Sequence, residues 1–106
     1  MAVHNITDEN FKEEVLNSEK PVLVIFSAIW CGPCQQMSSA YEEISEELSD
    51  KVLIKKIDID KDPNTPTQYS IRGVPSMLLF FKSELIGTRV GASTKSDLLN
   101  WIKSKI

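Results

Sequence analysis

The chain has 106 residues, 42% of them apolar and 25% charged, with 12 Lys and Arg against 15 Asp and Glu for a net charge of −3. That is the length of one domain, enough to bury a core without crosslinks or metals, and the composition excludes the disordered and fibrous classes. No basic run is present to neutralise a phosphate backbone, and no apolar stretch approaches the length of a membrane span, so nucleic acid and membrane are excluded as partners.

The first nine residues lack the basic start and apolar stretch of a signal peptide, which makes a reducing cytoplasm the expected compartment. Phe11, Val15 and Leu16 place an apolar stripe on a segment over residues 8–17, predicting a short first helix capped by Thr7 or Asp8. Pro21 introduces Val22-Leu23-Val24-Ile25-Phe26, whose unbroken apolar run predicts a strand covered on both faces in the middle of a sheet.

Cys34, Met37, Tyr41, Ile44 and Leu48 then recur at steps of three and four, with Glu42, Glu43, Glu46 and Glu47 on the polar faces. This is the clearest helix in the sequence. Residues 52–59, interrupted by Lys55, Lys56 and Asp58, complete a parallel strand, helix, strand unit. Asp62-Pro63 opens one or two helical turns to Tyr69, with Pro63 suited to a first helical position.

Residues 77–81 read as a further strand, and residues 85–90 return beside it after a short connection at residues 82–84. Thr94 and Asp97 form a capping-box-like start to a last helix, with Leu98, Leu99, Ile102 and Ile106 as its buried face. No repeat, linker or low-complexity segment divides the chain, so residues 1–106 are expected to form a single α/β domain with a central mixed β-sheet flanked by α-helices.

Both cysteines lie in Trp30-Cys31-Gly32-Pro33-Cys34. As a structural staple, so short a loop removes little chain entropy, and a cytoplasm disfavours a permanent bond. As a zinc site, the pair lacks two ligands and the one histidine, His4, is remote in sequence, which leaves a cluster shared between two chains as the metal alternative. As a redox pair the spacing is sufficient by itself, because residues three apart at a helix start are within reach of disulfide geometry.

Cys31, just ahead of the helix, meets unpaired backbone N–H groups that stabilise a thiolate, whereas Cys34 falls on the apolar stripe and is harder to ionise. That asymmetry assigns Cys31 as nucleophile and Cys34 as resolving thiol. Pro33 fits the first helical turn, where its missing N–H has no partner to lose, and Gly32 leaves the surface bare for a bulky substrate.

From residue 6 to 106 the sequence resembles the thioredoxin family. The likeness is carried by Trp30-Cys31-Gly32-Pro33-Cys34, the Phe26 to Ala28 approach, Asp58 to Asp60, Ile71-Arg72-Gly73-Val74-Pro75 and Val90-Gly91-Ala92, in the family's order and spacing. The resemblance implies a thioredoxin fold, a cis bond before Pro75, and reduction of protein disulfides. It further implies a docking surface bordered by Trp30, Gly73, Val74, Pro75, Gly91 and Ala92, on which an extended client segment pairs with the backbone before the proline.

The implied partners are disulfide-containing client proteins and a flavin-dependent thioredoxin reductase drawing on NADPH. The chain needs no bound cofactor or metal of its own and is expected to be a monomer serving electron transport and cell redox homeostasis.

Several positions depart from the family. Ile25 stands where a buried aspartate usually accepts the resolving thiol's proton, and Lys56 matches the lysine that neighbours that aspartate. An apolar residue there removes a desolvation cost, while a cation kept without its anion favours nearby thiolates. Ser27, Gln35 and Ser39 replace a large residue, a lysine and a helix-kinking proline, changes that bear on partner choice. Ile25 also sustains a rival reading, a binding module or assembly subunit with weak or no reductase activity.

Overall fold

The computed structural model describes residues 3–106. Five strands form one mixed sheet in the order β1-β3-β2-β4-β5: β1 Val3–Asn5, β2 Val22–Ser27, β3 Leu53–Asp58, β4 Ser76–Phe81 and β5 Glu84–Val90. β1 and β2 run parallel to β3 on either side of it, while β4 lies antiparallel to both β2 and β5. The helices are α1 Gly32–Gln36, α2 Ser38–Glu47, α3 Asn64–Gln68 and α4 Lys95–Lys105, with a π-helical turn at Lys12–Leu16. The α/β thioredoxin fold implied by the sequence is the one observed.

All six residues of β2 are buried, as a strand covered on both faces must be. Alternation along it builds two cores. Leu23 and Ile25 pack with Met37, Tyr41, Ile44, Leu98 and Ile102 under α2 and α4. Val22, Val24 and Phe26 face the other way, against Ile6, Phe11, Val15 and Phe80. Each fully buried side chain of this kind contributes about 1.5–3 kcal/mol, so the central strand anchors everything attached to its ends.

The lysines that interrupt β3 follow the same alternation. Lys55, nearly buried, turns to the face of the π-helical turn and meets Glu14 at 3.2 Å. Lys56 is the register partner of Ile25, and its side chain is half-buried.

Four expectations need correction. The first helix is a single π-helical turn over Lys12–Leu16 and not a helix over residues 8–17, because Thr7 and Asn10 bond reciprocally and hold the preceding residues in turns. The long helix divides at Met37, whose N–H is shared between the carbonyls of Pro33 and Cys34 at 3.3 and 3.2 Å, so the division needs no proline at position 39. Ile106 is 45% exposed beyond the end of α4, and Pro63 caps α3 instead of opening its first turn. β1, too short to show a pattern in sequence, adds an edge strand beside β3.

Other local readings hold. The β4–β5 connection is a two-residue turn at Lys82 and Ser83, both at positive φ, the geometry that suits the right-handed twist of a hairpin. Thr94 caps α4, its Oγ1 accepting the N–H of Asp97 at 3.0 Å.

Asp8 does work at a distance. Its carboxylate accepts the backbone N–H groups of Asn64 and Thr65 at 3.1 and 2.8 Å, satisfying donors at the start of α3. Partial burial raises its pKa, but hydrogen bonds from the Thr65 side chain, the Thr65 backbone and the Asn64 backbone outweigh that, and the net shift is downward from 3.8. A carboxylate with a lowered folded-state pKa contributes fully above its unfolded value, and the contribution fades as pH falls through the folded one. Asp8→Ala is therefore expected to cost about 1 kcal/mol at neutral pH. In urea denaturation the gap between the two chains closes as pH drops below 3.8; a gap of unchanged size in acid would contradict the capping role.

Candidate functional site

The site forms where the chain leaves β2. Beyond Ser27, buried Ala28 leads to the exposed Ile29 and Trp30, and the chain turns into α1 at Cys31. Cys31 is the N-cap of α1, in extended conformation, and its Sγ accepts the backbone N–H of Cys34 at 3.2 Å. Cys34 lies one turn inside. The two sulfurs are joined in a disulfide, with Cα atoms 5.3 Å apart. Among the described residues no group of three or more His, Cys, Asp or Glu is placed to hold a metal.

Both cysteines are buried, Cys31 at 4% and Cys34 at 0% exposure, and they pack with Ala28, Ile59 and Val74. Gly32 and Pro33 between them are exposed, and a Cβ added at Gly32 would meet nothing within 4 Å, as a bare surface requires.

A second strand end closes the site. The antiparallel register of β2 and β4 pairs Phe26 with Ser76, so the residues just before β4 come beside those just after β2. This brings the Val74 carbonyl oxygen to 3.7 Å from Cys31 Sγ. The Val74–Pro75 peptide bond is cis. Ser76 Oγ donates to the Gly73 carbonyl at 2.6 Å, and Gly91, at a φ of +94°, donates its N–H to the Pro75 carbonyl at 2.8 Å. Gly91 thus joins the Gly73 to Pro75 loop, and Ala92 beside it is exposed.

Sequence reasoning named Trp30, Gln35 and Asp60 but not the contacts by which they brace the approach to Cys31. Gln35 Nε2 donates to the Ala28 carbonyl at 3.3 Å and to the Ile29 carbonyl at 3.4 Å. Trp30 Nε1 donates to Asp60 Oδ2 at 2.8 Å. Asp60 lies in an Asx turn in which Asp58 Oδ1 accepts the N–H groups of Asp60 and Lys61 at 2.8 and 3.2 Å, and that turn was the available signal.

Ile25 is wholly buried in the core under α2 and α4, beside Met37 and Tyr41. Lys56 lines a cavity of about 320 Å³ with Ser27, Ala28, Gln35 and Asp58, and makes no ion pair among the described residues. In the core around Ile25, the buried Tyr41 hydroxyl has no hydrogen-bond partner among the described residues, and burial pushes its pKa up to about 12.

The Thioredoxin family profile matches residues 2–104. The chain belongs to the thioredoxin family. It is 47% identical to a Thioredoxin of Rickettsia prowazekii (strain Madrid E) over 104 residues, 98% of this chain and 99% of the relative. It is 47% identical to a Thioredoxin of Rickettsia felis (strain ATCC VR-1525 / URRWXCal2) over 103 residues, 97% of this chain and 98% of the relative. A Thioredoxin of Acidithiobacillus ferridurans is 45% identical over 105 residues, 99% and 97% of the two chains.

Membership of the thioredoxin family together with the joined Cys31 and Cys34 makes this chain a thiol-disulfide oxidoreductase that reduces protein disulfides. Disulfide-bearing clients and a thioredoxin reductase are the partners this family implies. The binding-module reading is not favoured, since the Ile25 substitution leaves the dithiol geometry in place. Among the described residues no helix is long and apolar enough to cross a membrane.

Proposed function

We propose that the chain acts as a single-domain, monomeric cytoplasmic thioredoxin, in which Cys31 is the nucleophile and Cys34 the resolving thiol. The observation that carries the assignment is the Cys34 N–H donated to Cys31 Sγ at 3.2 Å. A thiolate gains more than a thiol from such a donor, and the first-turn N–H groups of a helix add to it. Cys34, wholly buried, bears the desolvation cost of ionising.

In the reduced protein the Cys31 thiolate attacks one sulfur of a client disulfide. A bond forms between Cys31 and that sulfur while the other client sulfur leaves as a thiolate and takes a proton. Cys34, deprotonated, then attacks Cys31, closing the intramolecular disulfide and releasing the second client thiol. The client has gained two electrons and two protons; the chain has given up both electrons and the Cys34 proton, and the second proton comes from water, which took it from Cys31 when that thiol ionised.

A thioredoxin reductase returns both electrons from NADPH through its own flavin, so the chain serves electron transport and cell redox homeostasis. Gly73, Val74 and Pro75 offer backbone to an extended client segment, with Trp30, Gly91 and Ala92 at the border. Gly32 and Pro33 set the spacing of the pair and leave its surface open.

Ile25 and Lys56 tune this chemistry in opposite senses. Lacking a carboxylate at position 25, the chain keeps the Lys56 cation with no acidic partner on β2, which favours the Cys31 thiolate, and it lacks the group that would take the Cys34 proton. Screening by water in the cavity beside Lys56 limits the first effect.

Insulin reduction by dithiothreitol tests the assignment. The natural chain is expected to accelerate it, Cys31→Ser to abolish the acceleration, and Cys34→Ser to accumulate a mixed disulfide at Cys31; an active Cys31→Ser chain contradicts the roles. For the tuning, Ile25→Asp is expected to raise the pH at which Cys31 ionises, followed by thiolate absorbance. An unchanged Cys31 titration would sink that part.

A further inference from the structure

Six large hydrophobic side chains are exposed among the described residues, and the three most exposed gather at the dithiol: Ile29 at 74%, Val90 at 69% and Trp30 at 68%. Val90 lies on the Pro75 side, since it is the register partner of Ser76. Ile29 and Trp30 lie on the other, where Trp30 reaches Asp60. A single exposed isoleucine needs no explanation, but one contiguous with an exposed tryptophan and two residues from a reactive sulfur does.

The backbone around Ile29 is held and not loose. Ala28 before it is buried, Gln35 bonds the carbonyls of both Ala28 and Ile29, and Trp30 after it is tied to Asp60. An apolar side chain fixed outward in this way meets a partner with little ordering left to lose, which is the condition under which apolar contact yields affinity.

We infer that Ile29 is a specificity-determining residue: it extends the client surface past Trp30 and selects disulfides flanked by a large apolar side chain. The occupant is the client segment itself, because Ile29 is continuous with the face that presents Cys31. The inference rests on the reductase reading and adds to it a preference among clients. Polar groups near Ile29, including Lys61 and Asp58 around the adjoining cavity, offer a polar flanking residue no contact that water does not already give it.

Two synthetic peptide disulfides, identical except for Leu or Ser at the positions flanking each cysteine, test this with the reduced full chain. Rates are corrected by the rate on a small unflanked disulfide, so that changes in sulfur chemistry drop out. The natural chain is expected to favour the Leu peptide about tenfold in kcat/KM, the scale of burying one aliphatic side chain. Ile29→Ser should cut that ratio at least about threefold, with Ile29→Leu retaining it. An active chain whose ratio is the same in Ile29→Ser overturns this inference alone. A natural chain that reduces neither peptide overturns the reductase reading and this inference with it.

Discussion

The hydrogen bond from the Cys34 N–H to Cys31 Sγ depends on the chain turning into a helix at the moment it leaves the most buried strand of the sheet. The first N–H groups of a helix have no carbonyl partner within it, so a sulfur at the N-cap supplies an acceptor that the backbone otherwise lacks. The same placement makes the two sulfurs unlike each other. One is aimed at by a backbone donor, and the other is turned into the core. Under the proposed roles, position alone gives two chemically identical residues different tasks.

The surroundings serve that difference. The β2–β4 register carries the Val74 carbonyl to the sulfur, and the bond from Gly91 to Pro75 ties the start of the last loop to the same place. Gln35 and Asp60 fasten the residues before Cys31. None of these groups takes part in sulfur exchange. They hold the face on which it occurs, and a rigid sheet end carries such a face more accurately than a free loop does.

Legibility in the sequence followed the range of the interactions. β2 was readable because burial on both faces forces an unbroken apolar run, and the face of α2 because its period is helical. The pair at Cys31 and Cys34 was readable because its chemistry is local to four residues. Asp8 was offered, with Thr7, as a cap for the first helix, and its actual role was hidden because its partners at Asn64 and Thr65 lie more than fifty residues away. Gln35 was noticed as a departure from the family, but its bracing role was not, because its partners are backbone carbonyls, which every residue offers. The division at Met37 arises from a shared N–H, which no residue type signals. Ile25 was noticed only by comparison with the family. Its place beside Met37 and Tyr41 makes it a well-packed core residue.

The claim on which the rest hangs is that the N-cap sulfur is the more reactive one. Reduced protein treated at neutral pH with less than one equivalent of iodoacetamide, then digested and mapped, measures this directly. The account predicts that the label falls on Cys31 with Cys34 largely unmodified. Label divided evenly between the two, or concentrated on Cys34, would contradict it.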